Sequence, residues 1–280
     1  MTTIMIRVLV FAFLFLLSYQ AQCASLTAKS WLVADGDGNV IAGENMFDVR
    51  SIASVTKLMT VVTILDNKVE LDSPLNIKLT TYNKKNRKVK SSPYDNTTRR
   101  QLIDLAMVRS DNNAARLLCT TYPTGYDGCI KDMNAKARNL GMINSVFYDP
   151  TGLDDRNNSS AKDLVLLVQS GYLHPEVVSA SQKSKIQIRI KKRWFMGKNT
   201  NPLIGTKHDI QVSKTGWTTR AGGCIVMLMD TDRGRRIVIV LGSRSIKTRI
   251  PEAEFISNIE GSPEEKLQQQ EPSNLWRRWF

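Results

Sequence analysis

Ser54 and Lys57 stand three residues apart in the stretch Arg50-Ser51-Ile52-Ala53-Ser54-Val55-Thr56-Lys57-Leu58-Met59-Thr60. In a helix that spacing puts both side chains on one face, one turn apart. A serine hydroxyl is a poor nucleophile until a base takes its proton. A lysine amine can be that base if burial or a neighbouring cation lowers its pKa toward neutrality. The apolar neighbours Ile52, Ala53, Val55, Leu58, Met59, Val61, Val62 and Ile64 predict burial. Two polar groups inside such a helix need a reason to be there. Farther along, Ser110-Asp111-Asn112 is the only Ser-x-Asn of the chain and Lys214-Thr215-Gly216 the only Lys-Thr-Gly. A second ammonium at Lys214 would help to depress the pKa of Lys57. A strand ending in Thr215-Gly216 offers an edge to an extended peptide. The chemistry such a set can perform is acyl transfer through a serine ester.

Spacing alone decides little. Ser159-Ser160-Ala161-Lys162 also fits Ser-x-x-Lys, yet there the serines read as the N-cap of a helix over Ala161–Tyr172. Taken alone, Lys214-Thr215-Gly216 reads as a surface strand end. What must position these groups is legible from the periodicities. Trp31–Ala34 and Val40–Ala42 flank the turn Asp35–Asn39 and predict a β-hairpin. The Ser54 helix follows, to about Leu65. Thr98 opens a helix with Leu102, Ile103, Leu105 and Ala106 as its apolar face, and another starts near Asn112. A further helix spans 127–140 and is closed by Gly141. After Ala161–Tyr172 the chain turns to strands: Ile186–Ile190, Ile210–Lys214, Gly223–Met229 and Arg236–Leu241, the last two joined by a hairpin turn at Asp230–Gly234. Strand pair, helical middle and strand run describe an α+β domain whose sheet is completed by both ends of the chain.

Residues 1–23 read as a secretory leader, with Arg7, the apolar run Val8–Leu17 and small residues at Ala21 and Cys23 before a cut at Ala24. An uncleaved anchor and a lipidated Cys23 are the alternatives. Export implies an oxidising compartment. There Cys119 and Cys129 either form a local disulfide or stay free, whereas Cys224, in an apolar run, reads as a buried thiol. Residues 24–260 then make one catalytic domain and 261–280 a polar tail. The tail ends Leu275-Trp276-Arg277-Arg278-Trp279-Phe280 and is read either as a disordered end or as a weak membrane-interface contact.

A net charge of +13 over 280 residues favours an anionic partner. Zinc-ligand spacing, RNA-binding aromatics and a DNA-reading helix are all lacking, so no nucleic acid is expected, and neither metal nor cofactor. His174 and His208 read as structural or exposed rather than catalytic. The basic run Lys84–Lys90 reads as a solvated loop, with contact to an acidic polymer as the alternative.

The three motifs, in this order on helix, loop and strand, form the set shared by class A β-lactamases and penicillin-binding proteins. Together with Asp149–Leu153, Asn199-Thr200-Asn201, Trp217-Thr218 and Ala221-Gly222, they closely resemble the low-molecular-mass penicillin-binding proteins, the serine D-alanyl-D-alanine carboxypeptidases and endopeptidases, over residues 28–245. The resemblance implies an antiparallel sheet with helices on both faces and a largely helical second lobe. It implies Ser54 as the acylated nucleophile, Lys57 as its base and Ser110 as the proton relay to the leaving amine. Lys214 would hold the Ser110 hydroxyl, Asn112 the substrate peptide, and Thr215 the carboxylate of the leaving D-amino acid. The N–H groups of Ser54 and Trp217 would form the oxyanion hole beside Gly216. The implied partners are peptidoglycan and, as covalent inhibitors, β-lactams.

A class A β-lactamase needs a glutamate to activate water for deacylation, and none falls between Leu71 and Pro175. A non-catalytic penicillin-sensing or peptidoglycan-binding module has no need of two lysines and a serine converging. Only 64 residues follow Gly216, too few for the extra β-domain and anchor of many family carboxypeptidases, so the shorter endopeptidase type fits better.

Overall fold

Two periodicities build the molecule, a repeat of two residues at both ends of the chain and of 3.6 in the middle. The computed structural model describes residues 26–77, 81–82, 88–89 and 94–260. The leader, the tail and nearly all of the basic run Lys84–Lys90 lie outside the described residues.

The chain opens with the expected hairpin, β1 (Ser30–Asp35) and β2 (Val40–Glu44). A short strand, β3 (Arg50–Ser51), leads into a 3-10 turn over Ala53–Val55 and then helix α1 (Thr56–Asp66). Strands β4 (Thr81–Tyr82) and β5 (Lys88–Val89) pair with each other. Helix α2 (Arg99–Val108) begins at Thr98, whose hydroxyl accepts from Gln101 N–H while the Gln101 side chain accepts from Thr98 N–H. This capping box satisfies two otherwise orphaned donors. Helices α3 (Asn112–Thr120) and α4 (Gly125–Asn139) follow, α4 starting two residues before the expected position. Cys119 and Cys129 are disulfide-bonded and tie α3 to α4, while Cys224 is a buried free thiol. Strand β6 (Asn158–Ser159) pairs with β3 and is followed by Ser160, whose hydroxyl caps α5 (Ala161–Tyr172) by accepting from Asp163 N–H.

Next comes α6 (Pro175–Gln182), a helix not assigned from the sequence. Proline at the first helical position starts a helix rather than stopping one, because its missing N–H is an orphan there in any case. Strand β7 (Lys185–Ile190) gains a partner that the periodicity does not reveal, β8 (Arg193–Lys198). Their turn uses Lys191 at φ +53 in place of the asparagine or glycine that marks such hairpins. Strands β9 (Asp209–Thr218), β10 (Gly222–Thr231) and β11 (Gly234–Ser243) complete the sheet, and α7 (Arg249–Ser257) covers it.

The five strands run β2-β1-β11-β10-β9, all antiparallel, so both ends of the chain do build one sheet. Both of its faces are covered, which is why β10 and β11 carry the unbroken apolar runs Cys224–Met229 and Ile237–Leu241. Cys224, Val226 and Leu228 enter the main core with the helices. Ile225, Met227 and Met229 face the smaller cluster with Ala253 and Ile256 of α7. Helix α1 is buried from Thr56 to Ile64, packed among α3, α4 and α5. Strand β9 does not end within Lys214-Thr215-Gly216 as the sequence suggests. It continues to Thr218, placing Lys214-Thr215-Gly216 inside the edge strand.

His174 Nε2 lies 3.1 Å from Asp66 Oδ1, and His208 Nε2 lies 3.0 Å from Glu254 Oε1. Among the described residues no helix is long and apolar enough to cross a membrane.

The Cys119–Cys129 bridge closes a loop with a sequence separation of 10. Replacing both cysteines by alanine is expected to lower unfolding free energy by roughly 2–3 kcal/mol. The midpoint of a urea titration reads this, and an unchanged midpoint would show that the packing of α3 on α4 suffices without the bond.

Candidate active site

The serine and the lysine that open the sequence argument meet at the start of α1. Ser54 lies in the 3-10 turn just ahead of the helix, where oriented N–H groups favour negative charge. Lys57 follows within the first turn and is 0% exposed. Its Nζ lies 2.8 Å from Ser54 Oγ, 2.8 Å from Asn112 Oδ1 and 2.7 Å from the Thr151 carbonyl, and as an ammonium it donates to all three. Two of these partners, the amide oxygen and the carbonyl, can only accept. A neutral amine therefore satisfies them with its two N–H bonds and turns its lone pair toward the hydroxyl of Ser54.

Burial lowers the pKa of Lys57 from 10.5 to about 8, against the pull of the Asp149 and Asp111 carboxylates, which favour the ammonium. Burial leads, as the apolar neighbours predict, and the repulsion expected between the two lysines is felt at Lys214. Lys214, buried in β9, is held well below the usual lysine range first by its own burial, then by Lys57 and Arg249.

Ser110 occupies the loop between α2 and α3, with φ +58. Its Oγ accepts from Lys214 Nζ at 3.0 Å, and the same nitrogen donates to the Thr215 carbonyl at 2.8 Å. Asp111 caps α3 by accepting from Ala114 N–H at 2.9 Å, and the Tyr94 hydroxyl donates to both of its carboxylate oxygens at 3.1 and 3.0 Å. One short loop thus carries Ser110 toward Lys214 and Asn112 toward Lys57. Thr215 Oγ1 donates to Thr200 Oγ1 at 2.7 Å. Trp217, the next residue on β9 after Gly216, is 41% exposed.

Two glycines clamp the Ser54 turn. A Cβ on Gly216 would lie 2.8 Å from Ser54 N and 2.9 Å from Ile52 O. One on Gly152, whose φ is +78, would lie 1.9 Å from Ala53 O. Neither neighbour is a flexible side-chain end, so neither can yield cheaply.

Several groups at the site are not singled out by the sequence. Asp149 accepts from Thr151 Oγ1, from Gly152 N at 2.9 Å and from Asn157 Nδ2 at 2.8 Å, and so fixes the loop whose carbonyl holds Lys57. Asn157 also donates to Thr56 Oγ1 at 3.2 Å, tying that loop to α1. Arg249, buried on α7, donates to the Gly216 carbonyl at 2.7 Å from behind the strand. Asp149–Leu153 stands out in the sequence only by its resemblance to the family, and no short-range pattern marks Arg249.

The family model described as D-alanyl-D-alanine carboxypeptidase, Peptidase S11, matches residues 18–245. Over 233 residues the chain is 35% identical to the D-alanyl-D-alanine endopeptidase of Pseudomonas aeruginosa, covering 81% of this chain and 75% of that one. Over 212 residues it is 35% identical to the D-alanyl-D-alanine endopeptidase of Escherichia coli, covering 74% and 68%. Among solved structures, penicillin-binding protein D2 from Listeria monocytogenes in its ampicillin-bound form superposes with a TM-score of 0.68 at 27% identity, over 82% of this chain and 96% of that one. Sheet order, motif order and these likenesses agree that the chain belongs to the D-alanyl-D-alanine carboxypeptidase family of serine peptidases.

Proposed function

We propose that this protein is a serine endopeptidase that opens the D-alanyl cross-links of peptidoglycan through an acyl-enzyme on Ser54. The observation that carries the reading is the buried Lys57 amine, whose two pure acceptors leave its lone pair for the Ser54 hydroxyl. As Ser54 Oγ attacks the D-alanyl carbonyl, its proton passes to Lys57. The N–H groups of Ser54 and Trp217 meet the oxyanion. The C–N bond breaks, and the proton returns by way of Ser110 to the departing nitrogen, with Lys214 donating to the Ser110 oxygen throughout. Asn112 orients the substrate peptide. The Thr215 hydroxyl and the positive field of Lys214 receive the carboxylate on the leaving D-centre. Water then hydrolyses the ester by the same groups in reverse.

Endopeptidase is favoured over carboxypeptidase because the relatives at 33–35% identity carry that name, whereas those named carboxypeptidase stand at 25–28%. The disulfide suits an oxidising compartment outside the inner membrane, reached through the leader 1–23. Residues 24–260 act there as one catalytic domain, periplasmic or associated with the wall. The charge of +13 suits an anionic wall polymer. Penicillin acylates Ser54, and the ester persists, since no glutamate lies between Leu71 and Pro175 and Glu176 is held at 3.4 Å by Arg100.

Incubated with cross-linked muropeptides, residues 24–280 are expected to convert dimers to monomers, read by mass spectrometry, and Ser54→Ala to lose at least about 10³-fold in rate. Pentapeptides losing one D-alanine with dimers intact would instead establish a carboxypeptidase. Loss of neither, or activity independent of Ser54, would sink the catalytic reading.

Intact-mass spectra after penicillin are expected to retain the adduct for hours. Rapid turnover of a chromogenic cephalosporin would contradict this.

Acylation is expected to speed up as pH rises through about 8, because only neutral Lys57 can take the proton. The Asp149 carboxylate raises that pKa, so Asp149→Asn is expected to move the acid limb to lower pH, by on the order of one pH unit. A limb that stays or moves upward would show that this charge is not felt at Lys57.

A further inference from the structure

The β7–β8 hairpin has a solvent face that the reaction does not use. Cross-strand register sets Lys185 opposite Lys198, Gln187 opposite Met196 and Arg189 opposite Trp194. All six of these side chains are exposed. Trp194 is 54% exposed and Met196 58%, large apolar areas to leave in water on one short ribbon. The Arg189 guanidinium lies over the Trp194 ring, 5.8 Å from its centroid. The turn adds Lys191, Lys192 and Arg193, and residues 185–198 contain no acidic residue.

The opposite face is anchored. Ile186 and Ile190 are buried, and Phe195 packs on Tyr94 with ring centroids 4.9 Å apart. Lys191 pairs with Asp95. Gly197 lies so close to Arg109 that a Cβ there would meet its side chain at 2.7 Å, and Arg109 directly precedes Ser110. The hairpin is therefore a fixed ledge beside the candidate active site. Its outer ladder runs roughly 13 Å at about 3.3 Å per residue.

An indole interleaved with cations suits a polymer of sugar rings that carries carboxylates. The apolar C–H face of a pyranose stacks on an aromatic ring, and the cations take the acids on either side. We propose that the outer face of the β7–β8 hairpin holds a peptidoglycan glycan strand through Trp194 and its flanking Lys185, Arg189 and Lys198, so that the attached stem peptides are presented to Ser54. This rests on the cell-wall reading above. The ledge serves the insoluble polymer and is not needed for a small substrate.

The test is co-sedimentation of residues 24–280, carrying Ser54→Ala to prevent digestion, with purified sacculi. A single-stranded oligonucleotide serves as competitor. On this background Trp194→Ala is expected to weaken binding roughly three- to tenfold, with Trp194→Phe keeping most of it. Lys185→Gln with Arg189→Gln and Lys198→Gln is expected to weaken it further and to flatten its salt dependence. With Ser54 restored, the same variants should take up fluorescent penicillin and cut soluble muropeptide dimers at the parent rate, while releasing less product from intact sacculi. Variants that sediment like their parent, a parent that does not sediment at all, or displacement from sacculi by the oligonucleotide at lower concentration than by soluble glycan strands would each overturn the ledge. A parent that binds sacculi through Trp194 but cuts no soluble dimer would uphold the ledge and overturn the peptidase reading instead.

Discussion

Everything at this site depends on burying one amine without giving it a carboxylate to lean on. The three atoms that touch Lys57 Nζ belong to a hydroxyl, an amide and a backbone carbonyl. An ion pair would have fixed the lysine as an ammonium, useless as a base. Neutral acceptors in a desolvated pocket do the reverse, holding the amine in place while burial favours loss of its proton. Lowering the pKa from 10.5 to about 8 costs on the order of 3 kcal/mol of preference for the charged form. That penalty is carried by the apolar surroundings of α1, buried from Thr56 to Ile64. Asp149 and Asp111 pull the other way, keeping the shift from going further. Their carboxylates are engaged elsewhere, Asp149 by Gly152 and Asn157, Asp111 by Ala114 and Tyr94.

The second lysine answers a different need. Lys214 lies with Arg249 behind the edge strand, the arginine on the Gly216 carbonyl and the lysine on the Thr215 carbonyl and Ser110. Each cation disfavours the charge of its neighbour, as the depressed pKa of Lys214 records. A strand edge backed by cations that are incompletely compensated gains most from an anion arriving in front of it. On the proposed reading such an edge suits a carboxylate-bearing substrate, and the pairing of β9 with β10 along Gly222–Asp230 holds it in place.

How much of this the sequence carries can be judged from particular residues. Ser-x-x-Lys occurs at Ser54 and again at Ser159, and the surroundings separate the two. The second leads into a cap, with Ser160 accepting from Asp163 N–H, as turn chemistry predicts. Sheet and helix order were legible because burial on a face imposes a period. Helices α6 and α7 were not, because each is short and carries a proline in its first turn, which reads as a break until packing turns it into a start. Strand β8 was hidden by its exposed face, where Trp194 and Met196 lack the polar alternation of an ordinary edge. Arg249, Asn157 and Asp149 reach the site through tertiary contacts whose partners lie up to 101 residues away, as for Asn157 and Thr56. No local pattern encodes such a distance.

Two backbone positions show what holds the geometry in place. Ala53 and Ser110, flanking the reacting groups, both take positive φ, +47 and +58, without being glycine. Each such residue costs on the order of 1–2 kcal/mol and persists only where its surroundings over-determine it. At Ala53 the constraint is the approach of Gly152, so close that no side chain fits between. At Ser110 it is the cap that Asp111 places on α3, fastened by the Tyr94 hydroxyl, whose pKa is pushed up to about 12 by burial and by Asp111 itself and which therefore stays a donor. Phe195 of the hairpin packs on that same Tyr94 ring. The serine loop is thus braced from the side on which the β7–β8 ledge stands, and the strain at Ser110 is maintained by contacts outside the reacting set. For the proposed reaction this means that the folding of α3, the 149–153 loop and the hairpin places the donors before substrate arrives, so little rearrangement is left for the transition state.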